Sequence, residues 1–127
     1  MAKYIIVVGG GYSGTGKGIS AASIGLLLKM RGASVNLVKC DPYLNINAGT
    51  MTPRQHGEVY LCDDGSETDL DLGHYERLAG ITVSSKNIFT SGTIYKSLLE
   101  EEEQGQYLGA TVQIVPHVTN KIQERLR

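Results

Sequence analysis

The sequence has no apolar run long enough to cross a membrane. Its longest are YIIVV at residues 4–8 and IGLLLKM at 24–30, well short of the roughly 20 residues a span needs. It has almost no net charge either: 12 Lys and Arg against 13 Asp and Glu leave −1, with both signs scattered. That excludes a global field for drawing in nucleic acid or an anionic membrane, so any anion site must be local. The two cysteines, Cys40 and Cys62, share no metal-type spacing, and in a reducing compartment they are two unpaired thiols, neither marked as a nucleophile. Tryptophan is absent, and 41% hydrophobic content in 127 residues suits one domain around a single core. The opening MAKYIIVVGG lacks the basic start, long apolar stretch and cleavage site of a secretory signal. The expected location is the cytoplasm, with no nucleic-acid or membrane partner.

What is present alternates along the chain. KYIIVV (3–8) is a β-branched run ending in glycines, and residues 17–31 place Ile19, Ala22, Ser23, Leu26, Leu27 and Met30 at helical spacing up to the stop at Gly32. SVNLVK (34–39) reads as a second strand, so residues 3–39 have the length of a right-handed strand–helix–strand crossover with two parallel strands. Periodicity then fails from Cys40 to Gly57, which marks a long loop. EVYLCDDGSETDLD carries an Asp-Gly hairpin signal at Asp64 and Gly65. SGTIYKSLLEEEE reads as an amphipathic helix with a solvated acidic end. TVQIVP (111–116) reads as a buried strand and VTNKIQERLR as the start of another helix. This order predicts an α/β fold with a mainly parallel sheet.

GGGYSGTGKGIS (9–20) contains Gly11, Tyr12, Ser13, Gly14, Thr15, Gly16 and Lys17, a G-x-x-x-x-G-K match between a predicted strand and a predicted helix. Glycines let backbone N–H groups converge on a phosphate, the helix start adds a favourable field, and Lys17 supplies a mobile charge. Gly18 stands where such loops usually carry the Ser or Thr that holds Mg²⁺, so a metal needs oxygen ligands from elsewhere. Asp69 and Asp71 lie two residues apart, on one face if extended, within an acidic set that includes Asp63, Asp64 and Glu67. Two readings are open: a solvated acidic hairpin, or Asp71 as a Mg²⁺ ligand. Lys39 ends the second predicted strand, at the sheet edge that carries the phosphate loop. It is either a second phosphate cation or a lysine snorkelling from a strand end.

KCDPYLNINAGTMTPRQHGEVYLCDDGSETDLDLGHYERL, with GKG in the loop, NIFTSGTIY and GQYLGATVQIVPHVTNKI, resembles the N-terminal half of the synthetase (amidoligase) domain of the CTP synthase family. The resemblance covers nearly the whole chain. It implies a P-loop NTPase-like three-layer fold in which Ser13, Gly14, Thr15, Gly16, Lys17, Gly18 and Ile19 line the nucleotides. Lys17 and Lys39 would serve the ATP phosphates as the catalytic pair, Asp71 would bind Mg²⁺, and Gln113 would join Ser13 at the UTP pocket. The implied reaction is ATP-dependent amination of UTP through a 4-phosphorylated intermediate. Ammonia comes from a glutaminase domain, CTP acts as feedback inhibitor, and the assembly is a homotetramer.

Family members continue past Arg127 with a second acidic Mg²⁺ ligand, a basic segment that grips UTP, and the glutaminase domain. No G-x-C-x-G nucleophile segment is present here. The expectation is therefore a truncated chain in which residues 1–127 are the N-terminal part of the amidoligase domain, with an unpaired sheet edge and no synthesis of CTP by itself. Two alternatives stay open: a nucleotide-binding or assembly module without catalysis, and a P-loop ATPase of another amide-forming class. His56 and His117 fit either the nucleotide cleft or structural hydrogen bonds.

Overall fold

The computed structural model describes residues 2–10 and 14–127. Helix α1 (Lys17–Met30) starts at Gly16, whose φ of 81° no branched residue adopts cheaply, and buries Ala22 and Gly25. Strand β1 (Lys39–Asp41) follows, then a loop with the short helix α2 (Pro53–His56), and a hairpin of β2 (Val59–Leu61) and β3 (Glu67–Asp69). Helix α3 (Leu70–Ala79), strand β4 (Ile88–Thr90), helix α4 (Ser91–Glu103), a kinked turn (Ile114–Val118) and helix α5 (Thr119–Leu126) complete the chain.

β1 and β4 pair in parallel, Lys39 opposite Ile88 and Asp41 opposite Thr90, while β2 and β3 pair antiparallel, Val59 opposite Asp69. Two cores flank the parallel pair. Ala22, Cys62, Leu72, Tyr75 and Val83 form one, joined by Leu37 and Ile88. Phe89, Ile94, Leu98 and Val118 form the other, joined by Val38 and Ile122. The neighbours Leu37 and Val38, and again Ile88 and Phe89, go to opposite cores, as the two-residue alternation of extended chain requires. The class is α/β, with helices packed on both faces of a small parallel sheet. Among the described residues, no helix is long and apolar enough to cross a membrane.

Three strand expectations change. Residues 3–8 join no strand among the described residues, and Ile6 and Val8 are 79% and 82% exposed. β-branched composition suits a pleated, half-buried surface but forms a strand only where a partner supplies the ladder. The expected strand at 34–39 pairs only from Lys39, so Lys39 opens the paired segment instead of closing it, and the parallel partner is β4 instead of residues 3–8. TVQIVP is no buried strand. Val115 is extended (φ −112°, ψ 123°) yet 67% exposed, and the chain kinks there before turning into α5. Pro116 lacks the N–H that a central strand donates, and the segment's anchor is Val118, buried in the second core.

The helix ends show why these elements stop and start where they do. Thr90 accepts from the N–H of Thr93 at 3.1 Å and Thr93 Oγ1 accepts from the N–H of Thr90 at 3.0 Å, a reciprocal cap that turns β4 into α4. Thr90 Oγ1 also donates to the Asn45 carbonyl at 2.6 Å, fastening the long loop to this junction. α3 ends at Gly80, φ 59°, and Lys29 Nζ donates to the Gly80 carbonyl at 2.6 Å, tying the end of α1 to the end of α3.

Candidate functional site

The loop before α1 turns at Gly14 (φ 85°) and Gly16 (φ 81°), and no side chain caps the first turn of the helix. Lys17 Nζ donates to the Gly10 carbonyl and to Thr15 Oγ1, both at 2.9 Å, so its side chain folds back over the loop. Ile19 is half exposed, pointing its apolar surface outward. Ser13 lies outside the described residues.

Asp69 and Asp71 are not two positions of one strand face. Asp69 is the N-cap of α3, accepting from the N–H of Asp71 at 2.9 Å, and Asp71 sits in the first helical turn, where its charge is favoured by the helix field. Lys39 joins them: its Nζ is 2.8 Å from Asp69 Oδ2, 2.7 Å from Asp71 Oδ2 and 3.6 Å from Asp41 Oδ2. Asp41 follows Lys39 by two residues on β1, and so shares its side of the strand. Burial works against the charge on Lys39, but the hydrogen bonds to Asp69 and Asp71, with the field of Asp41, outweigh it and hold the ammonium well above the usual lysine range. Burial pushes the Asp41 carboxyl up, opposed by Lys39 and by the Tyr43 hydroxyl that donates to it at 3.0 Å. Of the two earlier readings of Lys39, snorkelling to solvent is the one this geometry replaces.

The same carboxylate reaches the phosphate loop. A Cβ built on Gly18 would stand 2.5 Å from Asp71 Oδ1 and 2.8 Å from its Cγ, so a Ser or Thr at this position would displace the carboxylate. One acidic group thus touches both the start of α1 and the start of β1. The sequence places His74 only on a short helix packing beneath the acidic hairpin, with no role at the site; its Nδ1 is buried without a hydrogen-bond partner 3.7 Å from Asp71 Oδ1. The available signal was its spacing: three residues after Asp71 is the same helix face.

The remaining acidic residues serve the hairpin. Asp64 accepts from the N–H groups of Ser66 and Ser85 and from the Ser66 hydroxyl, which keeps its carboxyl well below the usual range. Glu67 packs over Gly49, where a Cβ would collide with it. Among the described residues, no group of three or more His, Cys, Asp or Glu side chains is arranged to hold a metal unaided.

Gln113 is not drawn into the Lys39 cluster by any described contact. Its N–H donates to His117 Nδ1 at 3.0 Å, and it lines an open groove of ≈ 910 Å³ with Tyr95, Leu98, Val112 and Val118. His117 stacks edge-on against Tyr107 at 5.2 Å and His56 against Tyr43 at 5.4 Å, contacts that give both histidines structural work. Cys40 is exposed and Cys62 buried, both as free thiols.

Comparison with known proteins agrees along nearly the full chain. The chain is 59% identical over 127 residues to the CTP synthase of Sulfurisphaera tokodaii, covering 100% of this chain and 24% of that protein. It is 58% identical over 125 residues to the CTP synthase of Thermosipho africanus (98% and 24%) and 57% identical over 126 residues to that of Bacillus cereus (99% and 24%). The chain spans about a quarter of the length of these curated relatives. It matches the family described as CTP synthase N-terminus over residues 3–127, and it therefore belongs to that family.

Proposed function

We propose that residues 1–127 are the N-terminal, phosphate-handling part of a CTP synthase amidoligase domain, with a P-loop NTPase-like three-layer fold. The observation that carries this reading is the single carboxylate of Asp71 in contact with both Gly18, at the start of α1, and Lys39. That contact brings the glycine loop, an acidic ligand and a second cation to one place, which is what a metal–triphosphate requires.

In the proposed reaction, the γ-phosphoryl group of ATP passes to O4 of UTP as ADP leaves. Ammonia then adds at C4, and O4 departs with the phosphoryl group as inorganic phosphate, leaving CTP. An amide-like oxygen is a poor leaving group, and phosphorylation corrects that. The protein's share of the work is to align two polyanions and screen their charge. The N–H groups from Gly14 to Ile19 receive the triphosphate, Lys17 swings from the Gly10 carbonyl onto the β and γ phosphates, and Lys39 adds charge from the start of β1. By the family resemblance, Ser13 and Gln113 are assigned to the pyrimidine nucleotide.

Asp71 suits a divalent cation because its carboxylate lies against Gly18 at the start of α1, beside the loop that would hold the phosphates. Mg²⁺ held there would neutralise phosphate charge, its remaining positions filled by phosphate oxygens and water. Asp69 and Asp41 keep Lys39 in place when Asp71 turns to that task. Ammonia from a glutaminase domain of the longer enzyme, feedback by CTP, a homotetramer and a cytoplasmic location belong to the same proposal.

The test is a calorimetric and thermal-shift comparison of MgATP, UTP and both together. The expected result is that UTP tightens MgATP binding. MgATP binding indifferent to UTP would point to a different acceptor, and binding of neither nucleotide would remove the reading.

A further inference from the structure

His74 Nδ1 is buried and has no hydrogen-bond partner, a state that few buried polar atoms in folded proteins keep. It stands 3.7 Å from Asp71 Oδ1, beyond hydrogen-bond reach. The residues are one helical turn apart on α3, so the backbone keeps them facing whatever the side chains do. The gap has a visible cause: Lys39 draws the other oxygen, Oδ2, to 2.7 Å. A carboxylate only accepts, so the hydrogen bond that the pair would make needs a proton on Nδ1.

We propose that His74 is a positioning residue for Asp71, donating Nδ1–H to Oδ1 when the carboxylate turns from Lys39 to a divalent cation and so fixing the orientation in which it meets the metal–nucleotide. Outer partners of this kind decide which lone pairs of a ligand carboxylate remain for the metal, and their loss typically weakens metal binding by 10- to 100-fold. The proposal rests on the reading of Asp71 as a metal-binding residue.

The test uses two substitutions that differ in one atom's position. The amide nitrogen of Asn reaches the place of Nδ1, whereas that of Gln reaches the place of Nε2. Mn²⁺ alone is titrated into the protein by electron paramagnetic resonance, and ATP is titrated calorimetrically with Mg²⁺ and with EDTA. His74→Gln and His74→Ala are expected to weaken Mn²⁺ binding roughly tenfold and to shrink the Mg²⁺-dependent gain in ATP affinity by the same factor, with ATP in EDTA unchanged. His74→Asn is expected to stay within about twofold of the parent on both measures. Should the Ala variant fail to fold by circular dichroism, the Asn and Gln pair decides. Equal Mn²⁺ affinities for Asn and Gln variants, or parental affinity in a folded Gln variant, would overturn the proposal. A parent that binds no Mn²⁺, or an Asp71→Asn variant that binds it unchanged, would remove the metal reading of Asp71 and His74's role with it. Mn²⁺ binding that follows the expected order without any ATP binding would uphold His74 and overturn the nucleotide reading alone.

Discussion

Asp71 occupies the space that a side chain at position 18 would need: a Cβ on Gly18 would come within 2.5 Å of Asp71 Oδ1. Gly18→Ser is therefore expected to push the carboxylate away from the loop. Overpacking against a group pinned by Lys39 should cost about 1 kcal/mol or more, and ATP binding should lose much of its Mg²⁺ dependence. Pairing Gly18→Ser with Asp71→Ala should recover the stability loss, read by denaturant unfolding as a double-mutant cycle. Strict additivity of the two changes would count against the contact.

Lys17 folds over the loop through the Gly10 carbonyl and Thr15 Oγ1. Lys17→Ala should leave ligand-free stability within about 0.5 kcal/mol while abolishing the stabilisation by MgATP, which for a ligand at a hundred times its Kd amounts to about 2.7 kcal/mol. An unchanged rise in melting temperature with MgATP would show that the phosphate loop has been misassigned.

The two α3 aspartates should separate under substitution. Asn caps a helix as well as Asp, so Asp69→Asn keeps the cap and only weakens the hold on Lys39, whereas Asp71→Asn removes the charge beside Gly18. The Mg²⁺ dependence of ATP binding should fall more for Asp71→Asn than for Asp69→Asn. Equal losses, or a larger one at Asp69, would reverse the assignment.

Lys39 governs a pH dependence with opposite signs at the two ends of the scale. Its folded-state pKa lies above the ordinary 10.5, so its contribution is complete below pH 10.5 and is lost as pH rises through the folded value. In Lys39→Met that alkaline loss should vanish. At neutral pH, three carboxylates would be left without their cation, a cost of about 3 kcal/mol for a broken buried pair. Burial holds the Asp41 carboxyl above its ordinary 3.8, and Lys39, with the Tyr43 hydroxyl, restrains that rise. Without Lys39 its pKa rises further, so the folded state binds the extra proton across a wider window and the variant should gain stability as pH falls from neutral toward that window. Urea unfolding at pH 5 and 7 reads the acid side and at pH 10 and 11.5 the onset of the alkaline loss, and parallel pH profiles for parent and variant would contradict it.

Local signals were legible wherever the physics is local. Asp64-Gly65 set the hairpin, since a turn residue with φ of 78° at Gly65 is a matter of its own backbone. Gly16 began α1, and Thr90 with Thr93 began α4, each within a few residues of the helix that it caps. Asp69 and Asp71 were noticed for their spacing, but the strand that would place them on one side ends at Asp69, and a helix cap divides their tasks.

The sequence by itself determined the glycine loop before α1, the helices α1 and α4, the Asp-Gly hairpin and the family. All of these rest on residues adjacent in the chain or on its pattern as a whole. Tertiary structure alone decided which strands pair and what Lys39 holds. A strand exists only with its partner's ladder, and the partner of β1 lies 49 residues on, as Lys39 opposite Ile88, instead of in the β-branched run at residues 3–8. Lys39 and Asp71 are 32 residues apart. Nothing in either neighbourhood selects the other until the parallel pair and the packing of α1 against α3 bring cation, carboxylate and glycine together, because an ion pair depends on distance in space and has no sequence period.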